Sequence, residues 1–331
     1  MTVNIINPKN GSILQQSSDN CYVDSTGCCF PIVRNVLRIS SLQNYTANFA
    51  LQWNKFSETQ LDRNQLDASK TRFFAETHWN RENLDNQNIL EVGSGAGRFS
   101  KVILEYTHAI LWSVDYSDAV TANYINNGFI APERFHLFQA SIYELPFPDN
   151  SFDKVFCMGV LQHTPDFEAS IKALVDKAKP GGEIVVDFYP IKGWWTKLHA
   201  KYLLHPFLKH INHKLLLKII EANIGWLMKT EYALHRIGLG FFARFLPIVD
   251  IQGTIPKTLS AKEKKEWVIL DTFDMFSPEY DNPQRIKNVA QMFERQGAQV
   301  TFAGFEYFDG GNAAVVRAVK RKKEINFLCA E

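Results

Sequence analysis

The chain has 331 residues, with 36 Lys and Arg against 35 Asp and Glu, and a formal net charge of +1. That length exceeds one ordinary domain and leaves room for a sizeable core plus additional elements. So even a charge balance excludes recognition of nucleic acid through an overall field, and any strongly charged partner would need a local patch.

The first residues, MTVNIINPKN, show no basic segment leading into an apolar stretch, and nowhere do roughly 18 apolar residues run without a charge. A soluble, cytoplasmic chain is expected. The cysteines, Cys21, Cys28, Cys29, Cys157 and Cys329, are odd in number and scattered, so reduced thiols are expected. Cys21 with the Cys28-Cys29 pair lacks the doubled spacing of a zinc site, and no metal is expected.

Residues 1–80 read as an N-terminal cap, a small β-module followed by helices. Within it, Asn44 to Asp62 reads as an amphipathic helix with Phe49, Trp53 and Phe56 on one stripe, either core or a roof over a cationic ligand. From about residue 81 to 190 the chain alternates β-rich runs, 88–92, 110–115, 135–140, 152–158 and 183–189, with helical stretches at 98–106, 117–127 and 166–177. Several runs are apolar nearly throughout, as parallel strands covered on both faces are, so the fold class is a doubly wound α/β sheet. Thr164 as N-cap with Pro165 behind it starts the third helix, and Lys179-Pro180-Gly181-Gly182 stops it. Residues 283–320 return to the pattern with a helix, 283–296, and two strands, 299–303 and 313–319, joined by the turn-forming Asp309-Gly310-Gly311-Asn312 into an antiparallel hairpin. Residues 191–282 interrupt the sheet as a helical, aromatic insertion.

ILEVGSGAGRFS, residues 89–100, ends an apolar run in an acid and three alternate glycines. Glycines let a backbone turn sharply and approach a ligand with no Cβ in the way. The dinucleotide fingerprint is G-x-G-x-x-G, whereas Gly93, Gly95 and Gly97 are spaced G-x-G-x-G and Arg98 crowds the third fingerprint position. Glu91 would repel a pyrophosphate but attract a cationic ligand. S-adenosylmethionine, a nucleoside with a sulfonium and an ammonium and no phosphate, satisfies both requirements. A nicotinamide-dependent oxidoreductase fails both.

Four pieces in order, LEVGSGAG (90–97), VDYS (114–117), ASIYELPFPDNSFDKVFCMGVLQHTPD (140–166) and AKPGG (178–182), resemble the class I S-adenosylmethionine-dependent methyltransferases. The resemblance spans about residues 88–319 and implies a mostly parallel, seven-stranded, Rossmann-like sheet. It implies that Glu91 and Gly93 surround the methionine portion of S-adenosylmethionine, that Gly95 and Gly97 belong to the same cofactor-binding loop, and that Asp115, followed by the cofactor-binding Tyr116, binds the ribose. Ser141 and Ile142 would border the adenine, and Cys157 and Met158 would lead from the fourth strand into the cleft.

Methyl transfer needs a base only where the acceptor holds its proton tightly. His163 is either that base or a brace for its loop. Asp271 and Asp274, three apart on a helical turn, either close over the substrate or serve as capping and solvated charge. No N-P-P-Y type motif follows the fourth strand, so a nucleic-acid acceptor is not expected. The expected activity is methyl transfer to a small-molecule or glycan-type acceptor, at oxygen, with a catalytically silent binding protein as the alternative. Residues 192–247 hold nine Lys or Arg against two acids, interleaved with aromatics. That pattern suits a solvated helical lid, an anionic or lipid-linked acceptor, or contact with a membrane surface.

Overall fold

In the computed structural model, which describes residues 3–41, 43–63, 66–308 and 311–322, the chain opens with four short strands. These are β1 (Gln15–Ser18), β2 (Cys21–Val23), β3 (Cys29–Val33) and β4 (Val36–Arg38), each antiparallel to the one before it. Two helices follow, α1 (Ala47–Lys55) and α2 (Ala68–Thr77). Strands and helices then alternate as β5 (Asn88–Val92), α3 (Arg98–Tyr106), β6 (Ile110–Asp115), α4 (Ala119–Asn127), β7 (Phe135–Gln139), β8 (Phe152–Cys157), α5 (Phe167–Lys177) and β9 (Ala178–Phe188). The insertion supplies α6 (Ala200–Leu208), α7 (His213–Arg236), the short α8 (Ile251–Thr254) and α9 (Ala261–Phe276). The chain returns through α10 (Ile286–Arg295), β10 (Ala298–Phe308) and β11 (Gly311–Lys320).

The sheet runs β1-β2-β3-β4-β7-β6-β5-β8-β9-β11-β10, eleven strands where seven were expected. Strands β5 to β9 are mutually parallel, and β11 lies antiparallel between β9 and β10. The extra four come from the N-terminal segment. The three residues of β4 are all buried, and β4 pairs parallel with β7 through Leu37 and Phe138, covering an edge that would otherwise be open.

Strand β5 is buried at every position because both faces of the sheet are covered. On one face α2, α3 and α4 pack an aromatic cluster of Phe73, Phe99 and Phe156. On the other, Trp112, Phe147 and Phe152 meet at right angles under α5 and α10. A third cluster joins α1 to the insertion, with Phe56 against the buried faces of α7 and α9. The insertion leaves and rejoins the sheet at one place, since Ile191 N–H donates to Gln284 O (2.8 Å) and Gln284 N–H to Tyr189 O (3.0 Å). It is therefore clamped at its base rather than tethered by a loose linker.

Several expectations are corrected. Asp166, not Thr164, caps α5 by accepting from Ala169 N–H at 2.9 Å; Thr164 Oγ1 turns back to donate to Leu161 O. The stop signal Lys179 to Gly182 lies inside β9, and α1 is shorter than its apolar stripe suggested. Cys21 and Cys29 form a disulfide, with Cα atoms 6.1 Å apart, instead of remaining thiols. Spacing alone hid this: Asp24 accepts from Thr26 and Cys28 and folds β2 back onto β3, bringing the two cysteines together. Cys28 and Cys157 are free thiols, while Cys329 and the Asp309-Gly310 part of the predicted turn lie outside the described residues.

Candidate active site

A cavity of about 810 Å³ opens between the C-terminal ends of the parallel strands, α1 and the insertion. This is where an open α/β sheet places its ligands. Its walls divide into two halves.

The first half is backbone. Gly93, Gly95 and Gly97 all have left-handed φ angles, of 85°, 53° and 86°. A Cβ on Gly93 would sit 2.2 Å from Val160, and one on Gly95 would sit 3.1 Å from the Trp53 ring. The N–H groups of Gly93 and Ser94 both donate to Val114 O, and Gly95 N–H donates to the Asp115 carboxylate at 2.8 Å. These donors are thus spent inside the protein, and none is left as a cradle for phosphate. Asp115 also accepts from Ser117 N–H and Oγ, and burial pushes its carboxyl above the usual range against those bonds. Tyr116, Ile142 and Met158 complete this wall. Ser94 Oγ is buried there without a protein partner. An acidic, phosphate-free cradle with an orphaned hydroxyl fits S-adenosylmethionine.

Not every residue expected in this half faces the cavity. Glu91 is turned beneath the loop, 2% exposed, where Ser100 Oγ and Ser113 Oγ donate to it, and burial pushes its carboxyl up to about 7. Gly97 begins α3 and meets α4, where a Cβ would collide with Asn123 and Asn127 at 2.1 Å. The Ser141 hydroxyl accepts from Tyr143 N–H at 3.2 Å, and Cys157 is buried in the sheet, where burial pushes its thiol up. None of these four lines the cavity. Alternation along a strand explains Glu91 and Cys157, since each precedes a lining residue and points the other way.

The second half is made of side chains brought from far apart in the chain. His163 is 4% exposed, with Nδ1 3.0 Å from Tyr280 O. A carbonyl only accepts, so Nδ1 carries the proton and Nε2 presents a lone pair. Nε2 has no hydrogen-bond partner, and Asp274 Oδ2 lies 3.8 Å away. Asp274 in turn accepts from Tyr189 OH (3.0 Å) and Gln52 Nε2 (3.3 Å). Burial first, then Asp274, pushes the Tyr189 phenol well up. Lys201 Nζ stands 3.7 Å over the Tyr189 ring and pairs with Asp281 at 3.0 Å.

Asp271 and Asp274 sit in the buried C-terminal half of α9, not at a helix start, and both line the cavity. They part company there. Asp271 accepts from Gln60 Nε2 (3.0 Å) and Trp267 Nε1 (3.1 Å), and Gln60 also accepts from Arg98, the first residue after the glycine loop. Burial, then Asp274, pushes Asp271 up to about 7. Sequence reasoning missed Gln162, which is fully buried on the cavity wall with both amide atoms unpaired, and Tyr189, Lys201 and Gln60. Only the proximity of Gln162 to His163 in the chain could have flagged it. Elsewhere, Glu231, His235 and Asp250 bring three donor atoms within 4.8 Å of one another, a grouping the spacing of the histidines did not suggest.

Residues 90–186 match the family described as Methyltransferase domain. The chain is 33% identical over 113 residues to the tRNA U34 carboxymethyltransferase of Nautilia profundicola, covering 34% of this chain and 37% of that one. It is 30% identical over 141 residues to the ubiquinone/menaquinone biosynthesis C-methyltransferase UbiE of Vibrio cholerae, covering 38% and 54% respectively. The chain thus spans about half or less of the length of these curated relatives. Among solved structures, magnesium protoporphyrin IX methyltransferase from Synechocystis PCC 6803, with S-adenosylmethionine bound, matches at 11% identity and a TM-score of 0.44, over 82% of this chain and 97% of that one. Residues 90–186 of the chain thus carry a methyltransferase domain.

Proposed function

We propose that the chain is an S-adenosylmethionine-dependent methyltransferase that methylates an oxygen of a small-molecule or glycan-type acceptor held at His163. S-adenosylmethionine, when bound, supplies a methyl group already activated on a sulfonium, so the chain's work is alignment, exclusion of water and handling of the acceptor proton. Asp115 accepts the ribose hydroxyls, and the left-handed glycines let the loop approach closely. Asp271 and Gln60, beside Arg98, belong to the donor end. Apolar walls from Phe49, Val160 and Leu270 keep water out.

The observation that carries the oxygen assignment is the unpartnered Nε2 of His163, a buried lone pair that an acceptor hydroxyl would satisfy. Nδ1–H stays on Tyr280 O, so Nε2 takes the proton and Asp274, 3.8 Å away, balances the resulting imidazolium. Lys192 and Arg244 on the cavity wall favour an acceptor with an anionic group. A tRNA acceptor, as in the name of the Nautilia relative, is not carried over, because the likeness covers 37% of that protein.

The experiment is methyl transfer from isotopically labelled S-adenosylmethionine into fractionated small hydroxylated acids and sugars. Label should appear on oxygen and fall by roughly 10²- to 10⁴-fold in His163→Ala, the range for loss of a general base. Label on carbon or nitrogen, or an unchanged rate in the variant, sinks the oxygen assignment.

A further inference from the structure

Of the 22 large apolar side chains exposed among the described residues, 15 lie between Trp194 and Phe245. A surface that apolar on one segment marks an interaction site. Helix α7 has two apolar stripes. Leu216, Leu217, Ile220, Ile224 and Leu227 are buried against α9, while Leu215, Ile219 and Trp226 are 53%, 45% and 53% exposed. At about 100° per residue the exposed three fall within about 40° of one another and face roughly opposite to the buried set. Lys214, Lys218, Lys229 and Arg236 all project along one flank of that exposed stripe, and none of them forms a salt bridge with a described residue.

The stripe does not stand alone. Residues 240–245 add Phe241, Phe242 and Phe245, exposed at 67%, 53% and 47%, and Arg244 donates to Trp195 O at 2.6 Å, tying them to the exposed Trp194-Trp195 pair. Trp195 and Arg244 also line the cavity, so this surface runs up to its mouth. None of the described helices is long and apolar enough to cross a membrane.

We propose that the outer face of the insertion seats on the surface of an anionic phospholipid bilayer, with the α7 stripe and the 240–245 aromatics in the interface and the α7 cations against the headgroups. Aromatic and aliphatic anchors flanked by unpaired lysines are the complement of a negatively charged, amphiphilic surface. The docking stands apart from the methyltransferase reading. Only its consequence, that the cavity opens at the headgroup layer, rests on it.

The test is co-sedimentation of the full chain with vesicles of phosphatidylcholine alone and with phosphatidylglycerol added, in the absence of cofactor. Binding should require phosphatidylglycerol, weaken at high salt, and fall on the order of 100-fold in Lys214→Gln/Lys218→Gln/Lys229→Gln. Leu215→Ser/Ile219→Ser/Trp226→Ser should lose it as well. S-adenosylhomocysteine affinity, measured without vesicles, should stay unchanged in both variants, since none of the six residues lines the cavity. No sedimentation with phosphatidylglycerol overturns the proposal, as does equal binding to phosphatidylcholine alone. So does a stable dimer that the serine variant dissociates, because a second copy would then cover the face. A protein that sediments but binds no S-adenosylhomocysteine would break the methyltransferase reading and leave the docking intact.

Discussion

The two halves of the cavity are built in different ways. The half proposed to hold the donor is local: Gly93, Gly95 and Asp115 come from the ends of adjacent strands, and Gly95 N–H and the Asp115 carboxylate fix each other directly. The half proposed to hold the acceptor is assembled from α1, the loop after β8, the end of β9 and α9, so that Gln52 and Asp274 meet across 222 positions of sequence. Backbone geometry tolerates no substitution, whereas a side-chain cluster can lose one member and keep its shape. Mutations in the two halves should therefore fail differently.

The largest effect belongs to the donor half. Gly93→Val meets both a left-handed φ of 85° and Val160 at 2.2 Å, and is expected to abolish S-adenosylhomocysteine binding in titration calorimetry. The backbone strain alone costs about 1–3 kcal/mol. His163→Ala should lower kcat by at least about 100-fold while leaving cofactor affinity within about twofold, which single-turnover and binding measurements separate. Loss of both together would erase the distinction between the halves. Asp115→Ala should weaken cofactor binding by roughly 10- to 100-fold, the worth of one or two hydrogen bonds to a charged group, with no defect in folding by circular dichroism.

A pH prediction sharpens the picture of Glu91. Burial pushes Glu91 up to about 7 from an ordinary 4.5, and burial with Asp274 pushes Asp271 up to about 7 from 3.8. The native state thus keeps protons that the unfolded chain has already released. The stability this gives is complete below about pH 4 and is lost as the pH rises through about 7, by a few kcal/mol at most for each group at about 1.4 kcal/mol per pH unit. Urea midpoints between pH 5 and pH 8 should fall, and Glu91→Gln should flatten the slope. A rising midpoint in that window in the wild-type chain would contradict the assignment. The smallest effect is Tyr189→Phe, which removes one donor from Asp274 and should lower kcat only several-fold, consistent with a single hydrogen bond of about 1 kcal/mol.

The donor half was legible because its chemistry is carried by contiguous residues whose spacing has one physical meaning. The run NILEV became β5 residue for residue, and RFSKVILEY became α3. What periodicity could not supply was direction. Glu91 sits on the strand at a position that faces α3, so the acid that argued for a cationic ligand supports the loop from below, whereas Asp115, at the end of β6, faces the cavity. The acceptor half was half-legible. His163 and Asp274 could be named, but nothing in their spacing showed that Asp274 and not Asp271 approaches the imidazole, since both lie on one face of α9 and only tertiary packing separates them. Tyr189 and Lys201 carried no signal, being the end of a strand and the start of a helix with no motif around them. A small β-module was legible in residues 1–80, but not that it extends the main sheet: short, exposed runs such as QQSS show no partner until β4 finds the edge of β7.

The central claim is that one cavity holds a donor site and an acceptor base that can be separated. Titration calorimetry of S-adenosylhomocysteine into the wild-type chain, Asp115→Ala and His163→Ala tests it most directly. The expected result is saturable binding by the wild type, a loss of roughly 10-fold or more in Asp115→Ala, and wild-type affinity in His163→Ala. Absence of binding by the wild type, or equal losses in the two variants, would contradict the account.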